Sequence, residues 1–347
     1  MRSGRSFFRG RIRPSRTVES MIISASYKTD IPAFYGEWFI NRLRAGYCKV
    51  VNPYGRQVYR VPLSRDEVDG IVFWTKNIVP FLRRLAEVHD RGYPFVIQHT
   101  INGYPRELET SVVHPQRAIE ALRRVADTYG PRTIVWRYDT IVFSSPTPRA
   151  YHVDNFGRLA EALRGVADEV VISFAHIYRK TKRNMDRAAR SHGFDWWDPD
   201  SEEKRELTRV LLDTARSNGM ALALCSQKEY LVEGAVEARC VDARRLRDVA
   251  GRRFSARAKG NRTDCGCHES RDIGDYDTCP HGCVYCYAVR DRALALRRYK
   301  KHDPVSEFIH EPPGGVSERA AAPETKRGDQ LTLFGGTFSL PPTDSGG

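Results

Sequence analysis

Residues 115–137 read PQRAIEALRRVADTYGPRTIVWR, and this stretch decides the fold class. Apolar residues recur at helical spacing from Pro115 to Tyr129, and Gly130 then stands where a helix commonly ends in a left-handed residue. The short apolar run Thr133–Arg137 follows at once and is typical of a buried strand. A helix that leads directly into a buried strand is the repeating unit of an α/β fold with parallel strands.

The same alternation runs from residue 21 to residue 250. The predicted strands are Met21–Ala25, Cys48–Asn52, Gly70–Trp74, Phe95–Thr100, Thr133–Arg137, Val170–Phe174 and Ala221–Cys225. The predicted helices are Ala33–Ala45, Pro80–Arg91, Pro115–Tyr129, Asp154–Val166, Ser201–Asn218 and Ala243–Val249. We therefore expect a (β/α) barrel, complete or one strand short, with a doubly wound open sheet as the alternative. The chain has no Gly-x-Gly-x-x-Gly after a strand, which disfavours a dinucleotide-binding version of the open sheet.

The segments outside this region differ in composition. Residues 1–20 are rich in arginine and are expected to form a disordered basic tail. Residues 251–303 hold five of the eight cysteines and are expected to form a cluster-binding segment. Residues 304–347 are rich in proline and glycine and are expected to be a flexible tail.

Composition limits the classes of function. In 347 residues no apolar run approaches the ~20 residues of a membrane span, and no signal peptide is evident, so we expect a cytoplasmic protein with no membrane partner. Cysteines stay reduced in that compartment, which favours ligand chemistry over disulfides. The net charge of +13 favours an anionic partner such as a nucleic acid, although the arginine-rich tail and solvated helix faces also contribute to it.

The strongest chemical signal is the segment DTCPHGCVYCYA at residues 277–288. Its cysteines, Cys279, Cys283 and Cys286, have the spacing Cys-x3-Cys-x2-Cys, with which three thiolates can bind three irons of a cubane. Thiolates also suit zinc, and Cys265 or Cys267 is near enough in sequence to complete a zinc site. Both metals therefore remain open. The other cysteines, Cys48, Cys225 and Cys240, are expected to be small buried hydrophobic residues.

The aromatic Tyr285 before the third cysteine resembles the signature of the radical S-adenosylmethionine superfamily, and His281–Ala288 is similar to its spore photoproduct lyase and DNA-repair photolyase-like branch. The resemblance implies a [4Fe–4S] cluster on three cysteines, S-adenosylmethionine on its fourth iron, Tyr285 near the adenine, and an external electron donor. If Cys265 or Cys267 bound the fourth iron instead of S-adenosylmethionine, the cluster would be fully ligated by the protein. The α/β region also opens with the string SASYKTDIP at residues 24–32, and the same cysteine segment follows it. Across residues 21–303 the chain thereby resembles an uncharacterised bacterial family, domain of unknown function 1848, and this resemblance implies no activity.

Polar residues follow the predicted strands, where the active sites of barrel enzymes lie. Three cations are expected to form a basic mouth for a carboxylate or phosphate, and two acids to hold a ribose hydroxyl or move a proton. Two amides are expected to help bind a cofactor. The cations are Lys28, Lys76 and Arg137, the acids are Asp30 and Asp139, and the amides are Asn77 and Gln98.

Two functions follow from these expectations. The first is a radical S-adenosylmethionine-type enzyme whose substrate is an anionic small molecule, a nucleotide or a nucleic acid. The second is a nucleic-acid-binding protein in which zinc or a fully ligated iron–sulfur cluster is structural. A barrel hydrolase that uses Lys28 and Asp30 would leave the cysteines without a role.

Overall fold

A computed structural model describes residues 21–52, 57–252, 254, 256–260 and 264–312. The expected basic tail at residues 1–20 lies outside the described residues. So do residues 313–347, which make up most of the expected C-terminal tail.

The strands confirm the α/β class and the parallel sheet. In chain order they are β1 (Met21–Ala25), β2 (Tyr47–Val51), β3 (Val58–Pro62), β4 (Val68–Thr75), β5 (Phe95–Thr100), β6 (Ile134–Ile141), β7 (Phe143–Ser144), β8 (Glu169–Phe174), β9 (Trp196–Trp197), β10 (Ala221–Leu224), β11 (Val236–Glu237) and β12 (Ser270–Asp272). Eight of them form one sheet, in the order β11-β10-β8-β6-β5-β4-β1-β12, and every pair is parallel. Among the described residues no ladder joins β11 to β12.

Helices connect most of these strands. They are α1 (Ile31–Phe34), α2 (Gly36–Ala45), α3 (Leu82–Asp90), α4 (Pro115–Tyr129), α5 (Arg149–Ala162), α6 (Arg179–His192), α7 (Ser201–Ser217), α8 (Ala243–Ala250) and α9 (Arg292–Lys300), with short 3-10 turns at Val79–Phe81, Pro131–Thr133 and Lys228–Tyr230. The bounds of β1, β5 and α4 are those expected from the sequence. No helix in the described part of the chain is both long and apolar enough to cross a membrane.

The short strands β3, β7, β9 and β11 were not expected from the sequence, and four other features also differ from expectation. The run expected as a main-sheet strand at Cys48–Asn52 is β2, which pairs antiparallel with β3 outside the main sheet. The helix expected at Ala33–Ala45 is divided into α1 and α2. Helices α6 and α9 were missed because both are rich in basic residues and bury few apolar side chains. Strand β12 was missed because it is only three residues long, and its pairing with β1 brings the cysteine-rich segment into the main sheet.

One face of the sheet packs on a core of its own. One side chain from each of six neighbouring strands enters a single apolar cluster, which also includes Leu246 of α8. These side chains are Ile22, Val72, Val96, Val135, Val171 and Ala223. Helix α8 covers the amino ends of the strands, where its buried Arg245 binds Asp168 and Glu169 at 2.8 and 2.7 Å. The carboxyl ends therefore remain available for a site.

Candidate metal centre and its cavity

A cavity of about 290 Å³ lies at the carboxyl ends of the strands. Its wall includes residues that end or follow five strands, among them Ser26 after β1, Lys76 after β4 and Cys225 after β10. Ligand pockets in proteins typically measure ~300–1,000 Å³, so this cavity could hold a small molecule. The wall is rich in aromatic rings, namely Tyr27, Trp74, Tyr178, Tyr276, Tyr285 and Tyr287.

The cavity brings together most of the residues selected from the sequence. Those that line it are Lys28, Asp30, Lys76, Arg137, Asp139, Tyr285, Cys265, Cys267, Cys279, Cys283 and Cys286. Gln98 and Asn77 are not part of its wall. Gln98 lies beneath it, where its amide accepts from Arg137 at 3.1 Å and donates to the Cys240 carbonyl at 2.9 Å. Asn77 caps the turn at Val79, whose backbone N–H it accepts at 3.2 Å. The side-chain amides of Gln98 and Asn77 therefore bind other residues of the protein and do not face the cavity.

The cysteine loop, residues 279–286, is tied to the segment that follows β5. Residues Glu109 and Cys283 form an isolated antiparallel bridge, the Val284 N–H donates to the Leu108 carbonyl at 3.1 Å, and the Ser111 N–H donates to the His281 carbonyl at 2.9 Å. Gly282 has a φ of 79°, which a residue with a side chain rarely adopts. A left-handed residue between Cys279 and Cys283 turns the backbone so that both cysteines face the cavity.

Asp30 holds the cysteine loop in place rather than standing free at the mouth. Its Oδ2 accepts from His281 Nε2 and from the Lys76 backbone N–H, both at 2.7 Å. Its Oδ1 accepts from the Ala33 N–H at 2.9 Å and so caps α1. One carboxylate therefore joins β4, α1 and the cysteine loop. Its expected part in binding ribose or moving a proton is not needed to explain its position.

Tyr285 is fixed by its hydroxyl group. That hydroxyl donates to buried Glu109 and contacts Lys76 Nζ at 3.1 Å and Asn102 Nδ2 at 3.0 Å. The ring lines the cavity and lies edge-on to Tyr104, with 5.9 Å between the ring centres. Glu109 and Asn102 were not selected from the sequence, because nothing near them in the chain marks them as partners of a tyrosine about 180 residues away.

The expected basic mouth is largely neutralised by carboxylates. Lys28 lies 3.5 Å from Asp272, and Lys76 lies 2.7 Å from Glu109. Arg137 contacts Asp139 at 2.7 Å as well. Burial by itself would raise the pKa of Asp139, but the Arg137 guanidinium, the Ser173 hydroxyl and the charge of Lys76 together outweigh burial and lower this pKa. Each of the three selected cations therefore has an acid beside it. An anion could bind them only by competing with that acid.

The surroundings of the loop cysteines suit thiolate ligands. Burial raises the pKa of all three thiols, so a bound cation is needed to hold them as thiolates. Several groups oppose burial and favour the thiolates: the Ala288 N–H, 3.3 Å from Cys286 Sγ, the backbone N–H groups of His281 and Asp30 at Cys279, and the charge of Lys76 at Cys283. Hydrogen bonds to sulfur are among the features that tune iron–sulfur clusters. The donor set therefore fits such a cluster.

Cys265 and Cys267 belong to a different group of thiols. Cys267 contacts Cys265 and Cys240, and Cys240 Sγ lies 3.5 Å from Cys225 Sγ. Cys48 and Cys240 are buried among apolar residues, as expected from the sequence, whereas Cys225 is only partly buried. The spacing of Cys225, Cys240, Cys265 and Cys267 in the sequence matches no known metal-binding motif, so the sequence did not predict this group. Within the described ranges, no three His, Cys, Asp or Glu side chains are arranged to hold one metal ion.

The model of one protein family matches residues 22–288, from β1 through the cysteine loop. Its description is a domain of unknown function, DUF1848. The chain belongs to this family. The expected membership is thereby confirmed, and all the cavity residues selected from the sequence lie within the matched part. No curated protein and no solved structure matches the chain.

Proposed function

We propose that Cys279, Cys283 and Cys286 hold a [4Fe–4S] cluster and that the protein is a radical S-adenosylmethionine-type enzyme. One observation carries the proposal: three thiols from a single eight-residue loop line one cavity at the carboxyl edge of a parallel sheet. Active sites of α/β proteins are found at this edge. When bound and reduced by an electron donor, such a cluster supplies the electron that cleaves S-adenosylmethionine to begin radical chemistry.

The residues of the chain have separate parts in this proposal. The three cysteines supply thiolates, and one position of the cluster stays open for a second ligand. The ring of Tyr285, held by Glu109 and Lys76, forms a rigid wall beside the loop. The Asp30–His281 contact fixes the loop on the sheet. We also propose that the sheet approaches a closed barrel, because the His268 N–H donates to the Val241 carbonyl at 2.9 Å near the gap between β11 and β12.

The cavity wall favours a planar substrate with some anionic character. Aromatic rings line it, and stacking on such rings is a general way to bind nucleobases. The cations beside the rings carry paired acids, so phosphate groups would bind by displacing an acid from Lys28 or Lys76. We therefore propose a nucleotide or a nucleic-acid base as the substrate. A cytoplasmic location fits this proposal because it would keep the cysteines reduced.

Anaerobic purification of the full chain, with iron and sulfide assays and electron paramagnetic resonance, tests this proposal. The Cys265→Ala/Cys267→Ala variant serves as the background, because it removes two thiols that lie outside the loop. We expect a cluster whose signal shifts on adding S-adenosylmethionine, and its loss in Cys279→Ser, Cys283→Ser or Cys286→Ser. Cys48→Ala, enclosed in the apolar core, is the matched control. A signal unaffected by S-adenosylmethionine would contradict the enzyme function.

The alternative function is a nucleic-acid-binding protein with a structural metal site, which the net charge of +13 favours. Binding of this kind should weaken steeply with salt, because each phosphate contact releases counterions. Titration of single-stranded DNA and RNA at low and moderate salt measures that slope. A steep slope together with a cluster that ignores S-adenosylmethionine would support this alternative.

A further inference from the structure

Four cysteines from separate parts of the chain form one continuous group of thiols. Cys225 follows β10, Cys240 follows β11, and Cys265 and Cys267 precede β12. The sulfurs of Cys225 and Cys240 are 3.5 Å apart. Cys240 also contacts Cys267, and Cys267 contacts Cys265, so the contacts run through all four. All four also line the cavity at the carboxyl ends of the strands.

Hydrogen-bond donors are directed at these sulfurs. The Arg137 guanidinium donates to Cys240 Sγ at 3.0 Å, and the Val241 backbone N–H donates to Cys267 Sγ at 3.4 Å. Arg137 is held in that position by Gln98 at 3.1 Å and by Asp139 at 2.7 Å. Donors of this kind stabilise negative charge on sulfur, which a thiol packed as an apolar residue does not carry.

We propose that Cys225, Cys240, Cys265 and Cys267 form a second metal centre, a four-thiolate site for a soft metal bound as zinc or as an iron–sulfur cluster. Four thiolates complete the ligand set of either centre. Around one tetrahedral zinc with Zn–S bonds of about 2.3 Å, sulfurs lie about 3.8 Å apart. The separation of 3.5 Å between Cys225 and Cys240 is close to that value.

The four sulfurs do not surround a common position that a metal ion could occupy. Their contacts form a chain, and among the described residues no three such side chains are arranged around one ion. The two ends of the chain, Cys225 and Cys265, are partly exposed, whereas Cys240 and Cys267 are buried. Rotation of the two end side chains toward the buried pair would close the site around a metal. Because this site shares no ligand with the loop cysteines, it goes beyond the proposed function.

The test compares two variants of the full chain after anaerobic purification. The first, Cys279→Ser/Cys283→Ser/Cys286→Ser, should retain one metal centre whose X-ray absorption spectrum shows sulfur ligands only. The second, Cys225→Ser/Cys240→Ser, should lose that centre and keep the cluster of the loop. Zinc and iron absorption edges distinguish the two metals. If the loop holds no cluster, the second variant will be metal-free while the first keeps its metal, so the two proposals fail separately.

Alkylation mapping of the unaltered protein does not depend on how the variants fold. A bound metal should protect the four cysteines from iodoacetamide, and a chelator should expose Cys225 and Cys265 to it. The proposal is overturned if the first variant purifies without metal, or if mass spectrometry finds a Cys225–Cys240 disulfide in the unaltered protein as purified. Metal content that is unchanged in Cys225→Ser/Cys240→Ser would also overturn it.

Discussion

Buried carboxylates near the cavity serve mainly to connect segments of the chain. Asp272 is bonded to Ser24 and Ser26 through their hydroxyl groups and to the backbone N–H groups of Tyr27 and Gly274, and so ties β12 to the end of β1. Asp30 and Glu109 connect the cysteine loop to the sheet in the same way. At the scale of single residues, the position of the cysteine loop therefore depends on Asp30 and Glu109.

Replacing Asp30 with Asn should loosen the cysteine loop. The amide offers one oxygen where the carboxylate offers two, so a donor among His281, Lys76 and Ala33 loses its partner. An unsatisfied buried group costs about 1–3 kcal/mol. We expect a lower melting temperature and less bound iron than in the unaltered protein. Asp90→Asn, at an exposed position on α3, is the control. Unchanged iron content would show that Asp30 does not position the loop.

His152 should make stability depend on pH. Burial lowers its pKa from 6.5 to about 4, whereas the unfolded chain keeps the ordinary value. Between these values the unfolded state binds the proton more tightly, so the unfolding free energy decreases as pH falls, by at most about 1.4 kcal/mol per pH unit.

His152→Gln tests this dependence because glutamine can replace the contacts with the Tyr138 hydroxyl and the Val142 carbonyl without titrating. Its melting temperature should fall less between pH 6.5 and pH 4 than that of the unaltered protein. His192→Gln, at an exposed position on α6, should follow the unaltered protein. Parallel curves for His152→Gln and the unaltered protein would contradict the assignment.

Among the elements, α8 packs against the amino ends of the main-sheet strands. A Cβ at Gly70 of β4 would lie 2.9 Å from Leu246 Cδ2 and 3.2 Å from the Pro94 carbonyl. Only glycine lets the helix approach the strand this closely. The helix packs there through Leu246 on its apolar side and through Arg245, which binds the start of β8.

Gly70→Val should therefore destabilise the protein, by about 1–3 kcal/mol if the cost is that of an overpacked core. Adding Leu246→Ala should recover part of the loss, because it removes the side chain that the valine meets. Urea denaturation measures both. Gly157→Ala is the control: it lies within α5 with open space around it, so it should stabilise the protein by about 0.5–1 kcal/mol. Additive effects of Gly70→Val and Leu246→Ala would argue against this contact.

At the scale of the whole molecule, a segment near the C-terminus packs against elements near the N-terminus. Residues 304–312 pack against α2 and β2, beyond the boundary at residue 303 expected from composition. Trp38 Nε1 donates to the Ser306 carbonyl at 3.0 Å, Arg42 donates to the Val305 carbonyl at 3.0 Å, and Lys49 pairs with Glu307 at 2.7 Å. Ile309 is buried in the main core. The folded body therefore includes the segment from Val305 to Ile309.

A chain that ends at residue 303 should melt at a lower temperature than one that ends at residue 312. It loses the buried Ile309 and leaves Trp38 and Arg42 without their acceptors. Losses of this kind amount to a few kcal/mol, which corresponds to about 5 °C or more for a domain of this size. Calorimetry of both chains checks this. Val305→Ala, at a side chain that is 66% exposed, is the control. Equal melting temperatures would show that the segment does not stabilise the body.

The sequence by itself determined the local elements and the motif. Strands β1 and β5 and helix α4 follow from apolar runs of the right period, with Gly130 at the end of α4. The local sequence is sufficient for these elements, because the spacing of apolar residues along a segment determines which face of the helix or strand is buried. The cysteine loop was likewise visible as a spacing. The polar residues gathered at the cavity also followed from strand order, since parallel strands end at one edge.

Only the tertiary structure decided what those polar residues contact. The acids beside Lys28 and Lys76 come from Asp272, 244 positions away, and Glu109, 33 positions away. The group formed by Cys225, Cys240, Cys265 and Cys267 appears only when the residues after β10 and β11 and the segment before β12 meet at the cavity. Such pairs depend on sheet order and side-chain direction, which no local pattern records. Distance in the folded chain, rather than spacing in the sequence, determines ion pairs and thiol contacts.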